Sequence, residues 1–212
     1  MAVPELRLSG GSSNNDPKGS LGGIMSSTAV TDNTLENAFD NITRSEALTG
    51  KTEYRCFYVY NPSGSPINGV TIEITTNPVL TEISGALDTV GKGDGSTSGV
   101  AQSIATEDTT PSGLKFFSED ADSPDGPYDT VVLPIGLLKA GEGVPFWLKR
   151  VTEQGAQQVL SISFKITYYT DTLPSEDVID GGAIGEIISA PVVQATGTFE
   201  VGTARVGFGD IG

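Results

Sequence analysis

Residues Glu53–Asn77 read EYRCFYVYNPSGSPINGVTIEITTN. Side chains alternate from Glu53 onward: Tyr54, Cys56, Tyr58 and Tyr60 fall on one face, Arg55, Phe57 and Val59 on the other. A strand whose side chains point alternately up and down produces that pattern. Both faces carry aromatic or branched residues, so the strand is expected to be covered on both sides. Asn61–Pro66, with two prolines and a glycine, interrupts it. Val70, Ile72 and Ile74 then alternate with Thr71, Glu73 and Thr75, the signature of a half-buried strand. The stretch therefore reads as a hairpin of two strands.

Further along, Val159–Tyr169 alternates Leu160, Ile162, Phe164, Ile166 and Tyr168 with Ser161, Ser163, Lys165 and Thr167. Thr130–Ile135 and Val144–Val151 are apolar runs of strand length, and Val100–Ala105 and Leu114–Phe117 are shorter ones. Six to nine strands with evenly spaced turns predict a mainly β protein built as an antiparallel β-sandwich, Ig-like or jelly-roll-like, with a barrel as the alternative.

One stretch has helical spacing. In DNTLENAFDNITRSEALTG, Asp32–Gly50, the residues Leu35, Ala38, Phe39 and Ile42 repeat at i, i+3, i+4, i+7. Asp32 or Asn33 can cap such a helix and Gly50 can end it. The predicted organisation is an extended arm over 1–32, a β-sandwich over 33–174 with a short helix near 33–48, and a C-terminal extension or arm over 175–212. Residues 1–32 are rich in Gly, Ser, Asn and Thr and show no period, which fits a flexible tail or an extended arm that orders only against a neighbouring subunit.

Composition limits the chemistry. The 212 residues contain no histidine and one cysteine, Cys56. A Ser-His-Asp or Cys-His site cannot be built from this chain alone, and a structural zinc site of the usual kind is excluded. No intramolecular disulfide can form. Net charge is −15, so phosphate backbones and anionic membranes are unfavourable partners. No apolar run approaches the ~20 residues of a membrane-spanning helix. The N-terminal residues lack the basic-then-apolar pattern of a signal peptide.

Gly91–Gly95, GKGDG, has neither the spacing of a phosphate loop nor a following helix, and reads as a plain loop. Asp120, Asp122, Asp125 and Asp129 offer hard oxygen ligands for Ca²⁺ or Mg²⁺, with Gly126 allowing a tight turn. Pro124 intrudes, the spacing departs from that of a calcium loop, and no glutamate closes it. A solvated, charge-repelling loop is the alternative. Tyr54, Tyr58, Tyr60, Trp147, Tyr168 and Tyr169 could line a carbohydrate platform, although in strands such rings more often pack in cores and subunit contacts. No cofactor is expected.

Four segments stand in a telling order: Ser20-Leu21-Gly22-Gly23, then LENAFD at Leu35–Asp40, GKTEYRCFYVYN at Gly50–Asn61, and FWLKR at Phe146–Arg150. Together they resemble a type of small structural protein found in tailed bacteriophages, over residues 9 to about 170. The resemblance implies a non-enzymatic virion component, assembled in the host cytoplasm and contacting other virion proteins and copies of itself. Within the virion, an acidic exterior suits a capsid decoration or cement protein on the outside of the shell. A tail or baseplate component and a carbohydrate-binding receptor module are the alternatives. The extension from Ser175 to Gly212 departs from the pattern.

Overall fold

A computed structural model describes residues 4–30, 38–40, 42–76, 81–118, 130–155, 162–170 and 197–201. Among these residues the chain is mainly β, with antiparallel strand pairing and one short α-helix. In chain order the elements are β1 (Glu5–Leu8), β2 (Gly22–Gly23), α1 (Arg44–Thr49), β3 (Lys51–Tyr60), β4 (Ile67–Thr76), β5 (Thr81–Leu87), β6 (Ala101–Ser103), β7 (Phe117–Ser118), β8 (Thr130–Leu138), β9 (Gly143–Thr152), β10 (Ile162–Thr170) and β11 (Gly197–Val201). They form a five-stranded sheet in the order β1-β3-β9-β5-β7, a four-stranded sheet in the order β11-β10-β4-β8, and the small pair β2-β6.

The expected strands at 53–60 and 70–75 exist, within β3 and β4, but they are not a hairpin. β3 pairs along its whole length with β9, from Lys51↔Thr152 to Tyr60↔Gly143. β4 belongs to the other sheet, between β8 and β10. The six-residue link is too long for a tight hairpin turn, and its first residue, Asn61, is engaged elsewhere. Asn61 is fully buried; its Nδ2 donates to the carbonyls of Ser65, Leu138 and Lys139 at 2.9, 3.1 and 3.0 Å. Its N–H donates to Glu142 O, and Gly141 N–H donates to Asn61 O. One asparagine thus binds the β3–β4 link to the β8–β9 link, two of the places where the chain passes between the larger sheets.

The two larger sheets present apolar faces to one shared core. Phe57, Val59, Phe146, Leu148 and Ile83 come from the five-stranded sheet, and Ile67, Val70, Ile72, Leu133 and Leu138 from the four-stranded one. The opposite face of the five-stranded sheet carries a second cluster: Tyr54, Cys56, Tyr58 and Trp147, with Met25, Ile104, Leu114 and Phe116 packed on them. β3 is covered on both sides, as its alternation requires.

Residues Pro4–Val30, read from sequence as an arm for a neighbour, lie on their own chain. β1 pairs with β3 from Glu5↔Tyr60 to Leu8↔Phe57, and Leu6 and Leu8 enter the shared core. Residues 26–30 close the outer side of β1 through Ser26 N–H to Leu8 O and Val30 N–H to Leu6 O. The segment lacks periodicity because side-chain-to-backbone bonds and glycine geometry hold much of it.

The helix also differs from expectation. It covers only Arg44–Thr49, and Ala38, Phe39 and Ile42 are buried before it begins; Leu35 lies outside the described residues. Thr43 sets the start. Its Oγ1 accepts from Glu46 N–H at 3.2 Å, and the Glu46 carboxylate accepts from Thr43 N–H at 2.7 Å. This reciprocal capping box overrides the apolar period. Gly50, at φ +78°, ends the helix.

Candidate functional site: a buried ion cluster and a glycine strap

On β3, Lys51, Glu53 and Arg55 alternate in sign at i, i+2, i+4 and therefore share one face. Arg150 on β9 stands directly opposite Glu53. Arg150 Nε donates to Glu53 Oε2 at 2.7 Å, and its Nη2 donates to the same oxygen. Its Nη1 donates to Asp40 O at 2.7 Å. Arg55 Nη2 donates to Glu107, on the loop after β6. Lys51 Nζ donates to Glu46 and Glu107, each at 2.6 Å, and lies 3.2 Å from Glu53 Oε1. The guanidinium carbons of Arg150 and Arg55 stand 4.7 and 5.7 Å from the centre of the Phe39 ring. Glu53, Arg55 and Arg150 are almost wholly buried. The cluster draws together the segment before α1, the helix itself, β3, β9 and the loop after β6.

Oxygens of Asp40, Glu53 and Glu107 lie within 4.8 Å of one another, a spacing able to hold a metal ion. Each of them already faces a cation. Arg55 and Arg150 Nη2 stand 3.8 and 3.6 Å from Asp40 Oδ1, and Lys18 stands 3.6 Å from its Oδ2. With Glu46 the cluster has four carboxylates, matched by Lys18, Lys51, Arg55 and Arg150. A divalent ion would have to enter among positive groups that already neutralise the acids, so the arrangement suits a clamp better than a metal centre.

The cluster carries a pH dependence. Burial alone would raise the Glu46 pKa, but the bonds from Lys51 and Thr43 outweigh it and bring it to about 2. Glu107 is likewise held below its ordinary value, because Lys51 and Arg55 together outweigh its burial. A carboxylate depressed in the fold contributes stability that is complete above its unfolded pKa and lost as pH falls through its folded one. Stability is therefore expected to be level from about pH 5 to neutrality and to fall between about pH 4.5 and 2. Urea midpoints measured across that range check this, and Glu107→Gln should flatten part of the slope.

A second set of contacts lies on the other face of β3. Ser20 O accepts from Cys56 N–H at 2.8 Å. Ser9 Oγ donates to Cys56 O and accepts from Gly22 N–H, at 2.8 and 3.0 Å. Tyr58 OH donates to Gly23 O at 2.6 Å and accepts from Ala101 N–H at 2.8 Å. Ser20–Gly23 thus forms a strap across β3. Beneath it Trp147 Nε1 donates to the buried Asp88 at 2.8 Å. Cys56 is fully buried, and burial pushes its thiol well above the usual range, so it is an unreactive packing residue.

The sequence-predicted candidates fare unevenly. Asp120, Asp122, Asp125 and Asp129 lie outside the described residues. Trp147, Tyr58 and Tyr54 are buried, leaving none of these three rings a free face for a sugar. Tyr60 is partly buried, with the Arg7 guanidinium 4.0 Å over its ring. The GKGDG loop is ordered by its own aspartate. Asp94 accepts from the N–H groups of Ser96, Thr97 and Ser98 at 2.8, 2.8 and 3.0 Å, and these bonds hold its carboxyl well below the ordinary range. The amides that could have cradled a phosphate are occupied by the chain itself.

No helix among the described residues is long and apolar enough to cross a membrane. No family model, curated protein or solved structure matches the chain.

Proposed function

We propose that this chain is a non-enzymatic structural protein of a tailed-bacteriophage virion, a β-sandwich that decorates the capsid and stabilises the head through contacts between subunits. The virion assignment rests on the resemblance of Ser20–Gly23, Leu35–Asp40, Gly50–Asn61 and Phe146–Arg150 to that type of protein. The structural role rests on one observation. Residues of those segments are engaged with one another: Asp40, Glu53, Arg55 and Arg150 in the ion cluster, and Cys56, Tyr58 and Trp147 beneath the strap to which Gly22 belongs. Groups that could have acted on a substrate instead join segments distant in sequence. The shared apolar core between the two larger sheets supports the sandwich architecture.

The test is binding of the purified protein to isolated expanded heads and to isolated tails. Sedimentation with heads, together with a raised melting temperature of the heads, is expected. Binding to tails alone would move the protein to the tail or baseplate, and binding to neither would remove the virion assignment.

A further inference from the structure

We infer that β11 is an exchange strand, which pairs with β10 of a second copy of this chain. This deepens the assembly role proposed above by naming the partner. β10 pairs on one edge with β4, from Ile162↔Thr76 to Thr170↔Ile67. Its other edge pairs antiparallel with β11, from Ile162↔Val201 to Ile166↔Gly197. Antiparallel neighbours that follow each other in a chain are commonly joined by 2–5 residues. Here 26 residues, 171–196, separate Thr170 from Gly197. A connection of that length can span up to ~85 Å when extended, so a neighbouring copy is within reach.

The manner of attachment points the same way. β11 is the outermost strand of its sheet, and its substantial contacts among the described elements are with β10 alone. A strand added along a backbone edge makes the same ladder whichever copy donates it. Exchange of an identical element therefore sacrifices no contact, and it joins subunits at low cost.

The register supplies the experiment, because Ser163 stands opposite Glu200 at a separation a disulfide can bridge. Full-length Ser163→Cys and Glu200→Cys chains, carrying different tags, are co-expressed and mildly oxidised. The native Cys56 is buried and does not compete. On a non-reducing gel a dimer with both tags is expected as the main cross-linked species, absent when either variant is expressed alone. A chain with both substitutions that closes only on itself, together with a mixture that gives no two-tag dimer, overturns exchange. Failure of both cross-links overturns it as well, since β11 would then not occupy β10. Head binding is measured on the same samples, so loss of exchange and loss of the virion role are read separately.

Discussion

Glu53→Ala is expected to lower the stability of the folded chain by about 3–5 kcal/mol, the range for removing one partner of a buried ion pair. Arg150 would keep its bond to the Asp40 carbonyl but lose the carboxylate that takes both its Nε and its Nη2. Its side chain is only 3% exposed, so water cannot replace that carboxylate. Lys51 would lose one of its three acidic neighbours. Most of the loss should be the cost of a buried charge stripped of its hydrogen-bonded carboxylate, with only Asp40 Oδ1 left at 3.6 Å, rather than the intrinsic worth of the pair. The double replacement Glu53→Met with Arg150→Leu should therefore recover a large part of it. Urea denaturation of the three proteins decides the matter. A loss below about 1 kcal/mol for Glu53→Ala would mean that the cluster behaves like a surface ion pair, and the clamp would have to be abandoned.

Gly22→Ala is expected to be of similar size for a different reason. Gly22 has φ +88°, and a Cβ there would stand 1.8 Å from Gln102 O and 3.0 Å from Trp147 Cζ2. A left-handed backbone costs a non-glycine residue about 1–2 kcal/mol. The clash with a backbone carbonyl adds to that, because the strap must rise from β6. It would then lose Gly22 N–H to Ser9 Oγ and weaken Ile104 N–H to Leu21 O and Tyr58 OH to Gly23 O. At about 1 kcal/mol for each bond, the total is roughly 3–5 kcal/mol. Trp147 is the only tryptophan and lies under the strap, so its emission should shift to the red at denaturant concentrations below the global transition. Gly11→Ala is the control. Its φ is +117°, but no atom lies within 4 Å of the added carbon, so only conformational strain is expected. Equal effects at the two glycines would show that the close approach of Gly22 to β6 is unimportant.

The alternation in 53–60 and 70–75 was enough to locate β3 and β4 and to predict that β3 is covered on both faces. Partner choice was not legible there. β3 and β4 adjoin in sequence yet lie in different sheets, and Asn61 ties their link to the one between β8 and β9. The helix was misplaced because Leu35, Ala38, Phe39 and Ile42 have helical spacing, whereas the stronger local signal was Thr43-Arg44-Ser45-Glu46. The ion cluster had one visible trace, the alternating charges of Lys51, Glu53 and Arg55 on the face that Phe57 and Val59 continue inward. Asp40 and Glu107 could not have been foreseen, since their loops reach the cluster only through the tertiary fold. The strap was hidden for a related reason: glycines at positive φ and serine hydroxyls leave no periodic trace.

The pairing of β3 with β9 has a consequence for biosynthesis. Lys51 finds its partner at Thr152, about a hundred residues later. At roughly 5–20 residues per second, a ribosome delivers β9 about 5–20 s after β3 has been made. During that interval a strand with aromatic or aliphatic groups on both faces has β1 on one edge but nothing on the edge that β9 will fill. The nascent chain should therefore be a client for chaperones that bind oily segments, and overproduction without them should yield inclusion bodies.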